Sequence, residues 1–174
     1  MRDKPLKRNA ARLAARLGVL SAAALALSWL EAVAAPFLRL PLGAKPGLSN
    51  IAVMLAAAKL GWPYGLGIAL VKAVFAGITR GPTAMLLSGA GGLLSALIAG
   101  TLLQRGERQA APRALSEVGV SVIGGVAHNL AQLACAALIM QTPGVLWSAP
   151  ALIVFGVISG AVTGMLVRRV GKRI

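Results

Sequence analysis

Apolar positions dominate this chain from Leu17 to Val167, and charged ones are almost confined to its ends and to alternate connections. A helix needs roughly 20 mainly apolar residues to cross the hydrocarbon core of a bilayer. The pattern predicts such spans at about 17–35, 48–60, 63–79, 83–104, 118–140 and 148–167. The second is short. It must tilt little or borrow residues from Gly43 to Gly47. The breaks have local causes. Pro36, Pro41 and Pro46 prevent a continuous helix through the first connection. Gly61-Trp62-Pro63 and Gly81-Pro82 read as tight turns, and Gln141-Thr142-Pro143-Gly144 ends the fifth span. The predicted fold class is all-α, a polytopic membrane bundle of six transmembrane helices. Residues 1–16 form a basic segment, 17–167 the membrane domain and 168–174 a basic tail.

Charge adds an orientation. Arg2, Lys4, Lys7, Arg8, Arg12, Arg16, Lys59, Arg105, Arg108, Arg113, Arg168, Arg169, Lys172 and Arg173 fall on one side of the predicted spans. Only Arg39, Lys45 and Arg80 fall on the other, and Lys72 lies within a span. Such a bias places both termini in the cytoplasm of a multi-pass protein, here of a bacterial-type inner membrane. Trp62 and Trp147 sit at span ends, as interfacial anchors do. The net charge of +14 forms no stripe on a soluble surface, so nucleic acid is not an expected partner and the lipid bilayer is. The first apolar run ends in Ala32-Val33-Ala34, which resembles a signal-peptidase site. Glu31 and Pro36 interrupt it there, and the run reads as a retained helix. The single cysteine, Cys135, allows no intrachain disulfide.

Composition sharpens the picture. The chain is 57% hydrophobic and only 13% charged, where a soluble domain carries about a quarter charged residues. Small residues recur at spacing four in Gly156, Gly160 and Gly164 and in Ser88, Gly92, Ala96 and Gly100. Such faces let helix backbones approach, and intramolecular packing is the expectation.

The few polar residues at membrane depth then stand out. Glu31 is in the first span. Tyr64, Ile68, Lys72, Ala76 and Arg80 form one stripe of the third. His128, Asn129 and Gln132 are central in the fifth, with Gly124, His128 and Gln132 on one face. Charges at this depth are costly and face a cavity or one another. A Glu31–Lys72 ion pair is one expectation. A cavity lined by Lys45, Asn50, Lys72, His128, Asn129 and Gln132, capped by the first connection, is the other. The cations of that connection would favour an anionic solute. The four acidic residues, Asp3, Glu31, Glu107 and Glu117, are scattered. They make no cluster for magnesium-dependent diphosphate chemistry. One histidine without a Cys pair makes no zinc site, and no P-loop is present. No catalytic residue, metal or cofactor is expected in this chain, and it reads as a non-enzyme.

Three strings carry a family resemblance. Residues Pro41-Leu42-Gly43-Ala44-Lys45-Pro46-Gly47-Leu48-Ser49-Asn50-Ile51 resemble the PGAKLGLANI signature of the Gx transporter family, catalogued also as heptaprenyl diphosphate synthase component I. Ser88-Gly89-Ala90-Gly91-Gly92-Leu93-Leu94-Ser95 is similar to its second segment. Gly119 to Leu133, with the His128-Asn129 pair, is similar to its third. Pro46 and Ser49 depart from the first signature, and Ala131 replaces a usual glycine in the third. The resemblance spans about Leu20 to Val167.

The family is similar in size and layout to the substrate-binding S components of energy-coupling factor transporters. The resemblance therefore implies an S-component-like bundle that docks on a membrane coupling subunit and ATPases. It also implies uptake of a small cofactor precursor such as a flavin, and Ala22-x-x-x-Ala26 fits the docking motif. The alternative is a non-catalytic membrane subunit associated with prenyl (heptaprenyl) diphosphate synthesis. A solute-shaped cavity favours the first reading, and a side opening to lipid on the cytoplasmic half favours the second.

Overall fold

The computed structural model describes residues 3–35, 37, 47–109 and 115–171. Among them the chain is helical throughout: α1 (Asp3–Ala34), α2 (Ser49–Lys59), α3 (Trp62–Arg80), α4 (Pro82–Gln109), α5 (Glu117–Met140) and α6 (Ala149–Gly171). A 3-10 helix, Pro143–Ser148, leads into α6. The helix limits follow local chemistry. Gly61 (φ 115°) and Gly81 (φ 92°) adopt backbone conformations that side chains disfavour, and they separate α2 from α3 and α3 from α4. Ser116 caps α5 by accepting the Gly119 N–H at 3.1 Å.

The exterior is apolar and the interior carries the polar groups. Val19, Trp29, Leu70, Ile78, Leu86, Leu138, Val154 and Ile158 are exposed. Glu31, Asn50, Lys72, His128, Asn129 and Gln132 are buried. This arrangement suits a hydrocarbon solvent, in which outward leucine costs nothing and polar groups must find partners inside. Five helical stretches among the described residues are long and apolar enough to cross a membrane.

The second predicted span takes another form. At 11 residues, α2 rises only about 16 Å, near half of a ~30 Å hydrocarbon core. Eight of its residues are buried, and it packs against α1, α3, α4 and α6. Its C-terminal Lys59 shares a cleft with Arg16 of α1. In the same half of the bundle Met54, Leu55, Ala57, Ala99, Val120 and Val167 form one apolar cluster. Its N-terminal Ser49 and Asn50 instead meet Lys72, in the middle of α3. α2 therefore starts at mid-depth and runs to the basic end. The helix begins at Ser49, after a left-handed Gly47 (φ 76°), and residues 43–46, which it was expected to borrow, lie outside the described residues.

The small-residue faces pack within the bundle, as expected. A Cβ added to Gly160 would lie 2.6 Å from the Ser121 carbonyl oxygen, and one on Gly164 2.6 Å from Val118 Cα. The α5 and α6 backbones thus touch directly. On α4, Ala96 is fully buried, Gly92 faces Ala69 and Lys72, and Gly100 abuts Trp62. Ala22 and Ala26 of α1 point outward.

Candidate functional site

The N-terminus of a helix leaves backbone N–H groups without partners, and α2 places that end inside the membrane domain. Its cap residue, Leu48, offers no side-chain acceptor. Glu31, 3% exposed on α1, takes that role across the bundle. Its Oε1 accepts the Ser49 N–H at 3.3 Å and its Oε2 accepts the Ser49 hydroxyl at 2.9 Å. A carboxylate in this place also meets the positive end of the helix dipole.

Lys72 approaches the same residue from α3. Its Nζ donates to Ser49 Oγ at 3.3 Å and to Asn50 Oδ1 at 2.6 Å. That second bond fixes the orientation of the Asn50 amide. Nδ2 therefore faces His128 Nδ1, at a long 3.4 Å. An amide nitrogen only donates, so Nδ1 accepts and a neutral His128 carries its proton on Nε2. One network thus runs Glu31–Ser49–Lys72–Asn50–His128, through α1, α2, α3 and α5. The expected ion pair takes a bridged form: Glu31 and Lys72 share the Ser49 hydroxyl.

Glycines on α4 make the room. A Cβ on Gly91 would lie 2.8 Å from His128 Nδ1 and 2.9 Å from Gln132 Cγ. One on Gly92 would be 3.9 Å from Lys72 Nζ. The glycine-rich string on α4 thus lets α5 and α3 bring their polar groups to a common point.

Beside the network lies a cavity of about 10 Å³, lined by Ser28, Glu31, Lys72, Ser88, His128 and Gln132 among others. That is room for about one water. Ser28, Ser88 and Gln132 are 4, 4 and 6% exposed. All three line this cavity. Gln132 also lines a second cleft, of about 140 Å³, with Asn129, Thr83, Leu87, Leu133, Met140 and Leu152 among others. This cleft is almost wholly apolar and lies toward the end remote from Arg16 and Lys59. A third cleft, about 260 Å³, opens between α1 and α2 at the basic end. Val19, Leu20 and Leu55 form its floor, with Arg16 and Lys59 on its rim.

Four of the six residues expected at a site, Asn50, Lys72, His128 and Gln132, come together here. Asn129 stays outside the hydrogen-bonded network but lines the apolar cleft beside Gln132. Its Nδ2 donates to the Leu152 carbonyl at 3.0 Å and ties α5 to the start of α6. Lys45 lies outside the described residues. Ser49, Ser28 and Ser88 were not expected at the site. A signal exists for each: Ser49 follows a Pro-Gly break at a helix start, Ser28 precedes Glu31 by three residues, and Ser88 heads the small face of α4. Arg80, partly buried, ends α3. Among the described residues no three His, Cys, Asp or Glu side chains gather as a metal site would require.

No curated protein and no solved structure matches the chain. The model of one family, described as heptaprenyl diphosphate synthase component I, matches residues 20–170. That stretch contains every residue of the network and nearly all of the bundle, and the chain belongs to the heptaprenyl diphosphate synthase component I family.

Proposed function

We propose that this protein is the membrane-embedded, solute-binding subunit of a transporter, working with a separate coupling subunit and ATPases. The observation that carries the reading is the half-helix α2. Its N-terminus opens at mid-depth onto a buried network of charged and polar side chains. Transporters place solute sites near the bilayer midplane at the ends of discontinuous helices, where backbone groups are free to bind. A purely structural helix would gain nothing from starting there. The cavity and the apolar cleft meet at Gln132. Rotation of that one side chain joins them into a site for a small solute with a polar head and an apolar body. The charge bias supports a cytoplasmic basic end, and in that orientation the apolar cleft faces outward and the solute enters from outside.

Native mass spectrometry of the gently purified protein tests this reading. A retained small molecule is expected, lost in a Gln132→Leu variant that stays folded. A retained molecule unaffected by Gln132→Leu moves the site elsewhere.

The cleft between α1 and α2 favours a second reading. It is apolar, opens sideways at the basic end and has Arg16 and Lys59 at its rim. That suits an isoprenoid chain with an anionic head, as a non-catalytic subunit beside a prenyl diphosphate synthase would hold. Co-purification of a prenyl diphosphate, abolished by a double Arg16→Gln and Lys59→Gln change, distinguishes this reading from the first.

A further inference from the structure

We propose that the cleft between α1 and α2 at the basic end is a binding site for one anionic phospholipid of the surrounding leaflet, its phosphate held between Arg16 and Lys59. This goes beyond the solute-binding reading and stands or falls separately from it.

The register of two helices builds the site. α1 and α2 are antiparallel: Glu31 meets Ser49 at one end of the pair, and Arg16 shares the cleft with Lys59 at the other. On α1, Arg16 precedes Val19 and Leu20 by three and four residues, and on α2 Lys59 follows Leu55 by four. All five line one cleft of about 260 Å³. Each helix therefore sets a cation at the mouth and an aliphatic side chain one turn, about 6 Å, deeper. A phospholipid has the same order along the membrane normal, a phosphate in the interface and acyl chains beneath it.

The level is that of the headgroups. Trp62 is 43% exposed and begins α3 three residues after Lys59, and tryptophan concentrates at the membrane interface. At 32 residues, α1 is about 48 Å long and outruns a ~30 Å hydrocarbon core. Exposed Arg12 lies one turn further out on the face of Arg16.

Charge selects the occupant. Among the described residues the lining holds two cations and no acid. The cations come from different helices and converge on one concavity with an apolar floor. Basic pockets of this kind between membrane helices hold anionic headgroups. The floor is one turn deep, which suits a lipid whose chains remain in the leaflet. An open cleft between α5 and α6 also carries two cations, Arg168 and Arg169. There the cations are neighbours on one helix, about 100° apart, and Glu117 begins α5 beside the lining residue Val118. In the α1–α2 cleft a bound phosphate joins the helix pair at the end opposite Glu31 and Ser49, so lipid occupancy stabilises the fold.

The test mixes the detergent-purified protein with phosphatidylglycerol or with phosphatidylcholine and follows thermal unfolding. Phosphatidylglycerol should raise the unfolding temperature by roughly 3 °C or more over phosphatidylcholine. Arg16 and Lys59 are both exposed, so their double change to Gln should leave the fold intact and abolish that excess. Arg168→Gln with Arg169→Gln removes equal charge from the same end and should keep it. No excess in the wild type, or equal loss in both double variants, overturns the proposal. Native mass spectrometry of the wild type from an equimolar mixture of the two lipids is the second readout, and it serves even if the cleft variant does not fold. A preference of roughly tenfold for phosphatidylglycerol is expected, and equal retention overturns the site. A retained prenyl diphosphate that phosphatidylglycerol does not displace also overturns it, and assigns the cleft to the isoprenoid. Retention of a solute at Gln132 is read separately, so failure here leaves that reading standing.

Discussion

Glu31 and Lys72, from α1 and α3, meet through one hydroxyl, that of Ser49, which donates to the acid at 2.9 Å and accepts from the ammonium at 3.3 Å. This makes a serine at the start of a half-length helix the joint between the two charges. The two side chains should be energetically coupled. Glu31→Gln and Lys72→Met should each destabilise by about 3 kcal/mol or more, since each leaves a buried charge without its counterpart. The double change should cost about 1 kcal/mol or more less than their sum. Additive losses in a detergent unfolding cycle would show that the hydroxyl does not couple them.

Ser49→Ala removes the joint and leaves both charges. The backbone N–H still reaches Glu31, so the fold should persist with a loss of about 1–3 kcal/mol. Ser49→Thr keeps the hydroxyl and should recover most of it. A Thr variant as weak as the Ala variant would assign the effect to packing.

Glycine positions separate by what a methyl would meet. Gly160→Ala drives a Cβ into the Ser121 carbonyl and Val122 Cα, both rigid backbone. It should lower the unfolding temperature sharply by prising α6 from α5. Gly67→Ala on exposed α3 meets nothing within 4 Å. It should be neutral or stabilising by up to ~1 kcal/mol through helix propensity. Equal effects in a thermal scan would refute the α5–α6 contact.

Adjacent polar residues on α5 should respond differently. Asn129→Leu breaks the bond to the Leu152 carbonyl and should cost about 1–2 kcal/mol of stability. Gln132→Leu should cost little stability and most of the solute binding. Ligand-induced thermal shifts of the two variants make the comparison. A full ligand-induced shift retained in Gln132→Leu would move the solute away from the cavity and cleft that Gln132 lines.

Topology is open to labelling. In a Cys135→Ser background, a cysteine at Gln141 should react with an impermeant reagent from outside, and one at Glu107 should not. Labelling at Glu107 in intact cells would invert the orientation drawn from the positive charges.

The linear pattern by itself determined that this chain is an all-helical membrane bundle, where the breaks between its helices fall, and that Glu31, Lys72, His128 and Gln132 face inward. Those are consequences of composition and of a 3.6-residue period, and a single helix already contains them. The stripe of Ile68, Lys72 and Ala76 is indeed buried, and the glycines of α6 do meet α5. Height and partnership are different quantities. They depend on how far one helix slides along another, which the backbone contacts at Gly125, Gly156 and Gly160 set. Only the tertiary structure decided that α2 starts at mid-depth, that Ser49 bonds to both Glu31 and Lys72, and that Asn129 turns to α6 while its neighbour His128 meets Asn50. Residues 18, 22 and 78 positions apart in sequence make those contacts. No local periodicity records a separation of that kind, because it is fixed by the packing of whole helices.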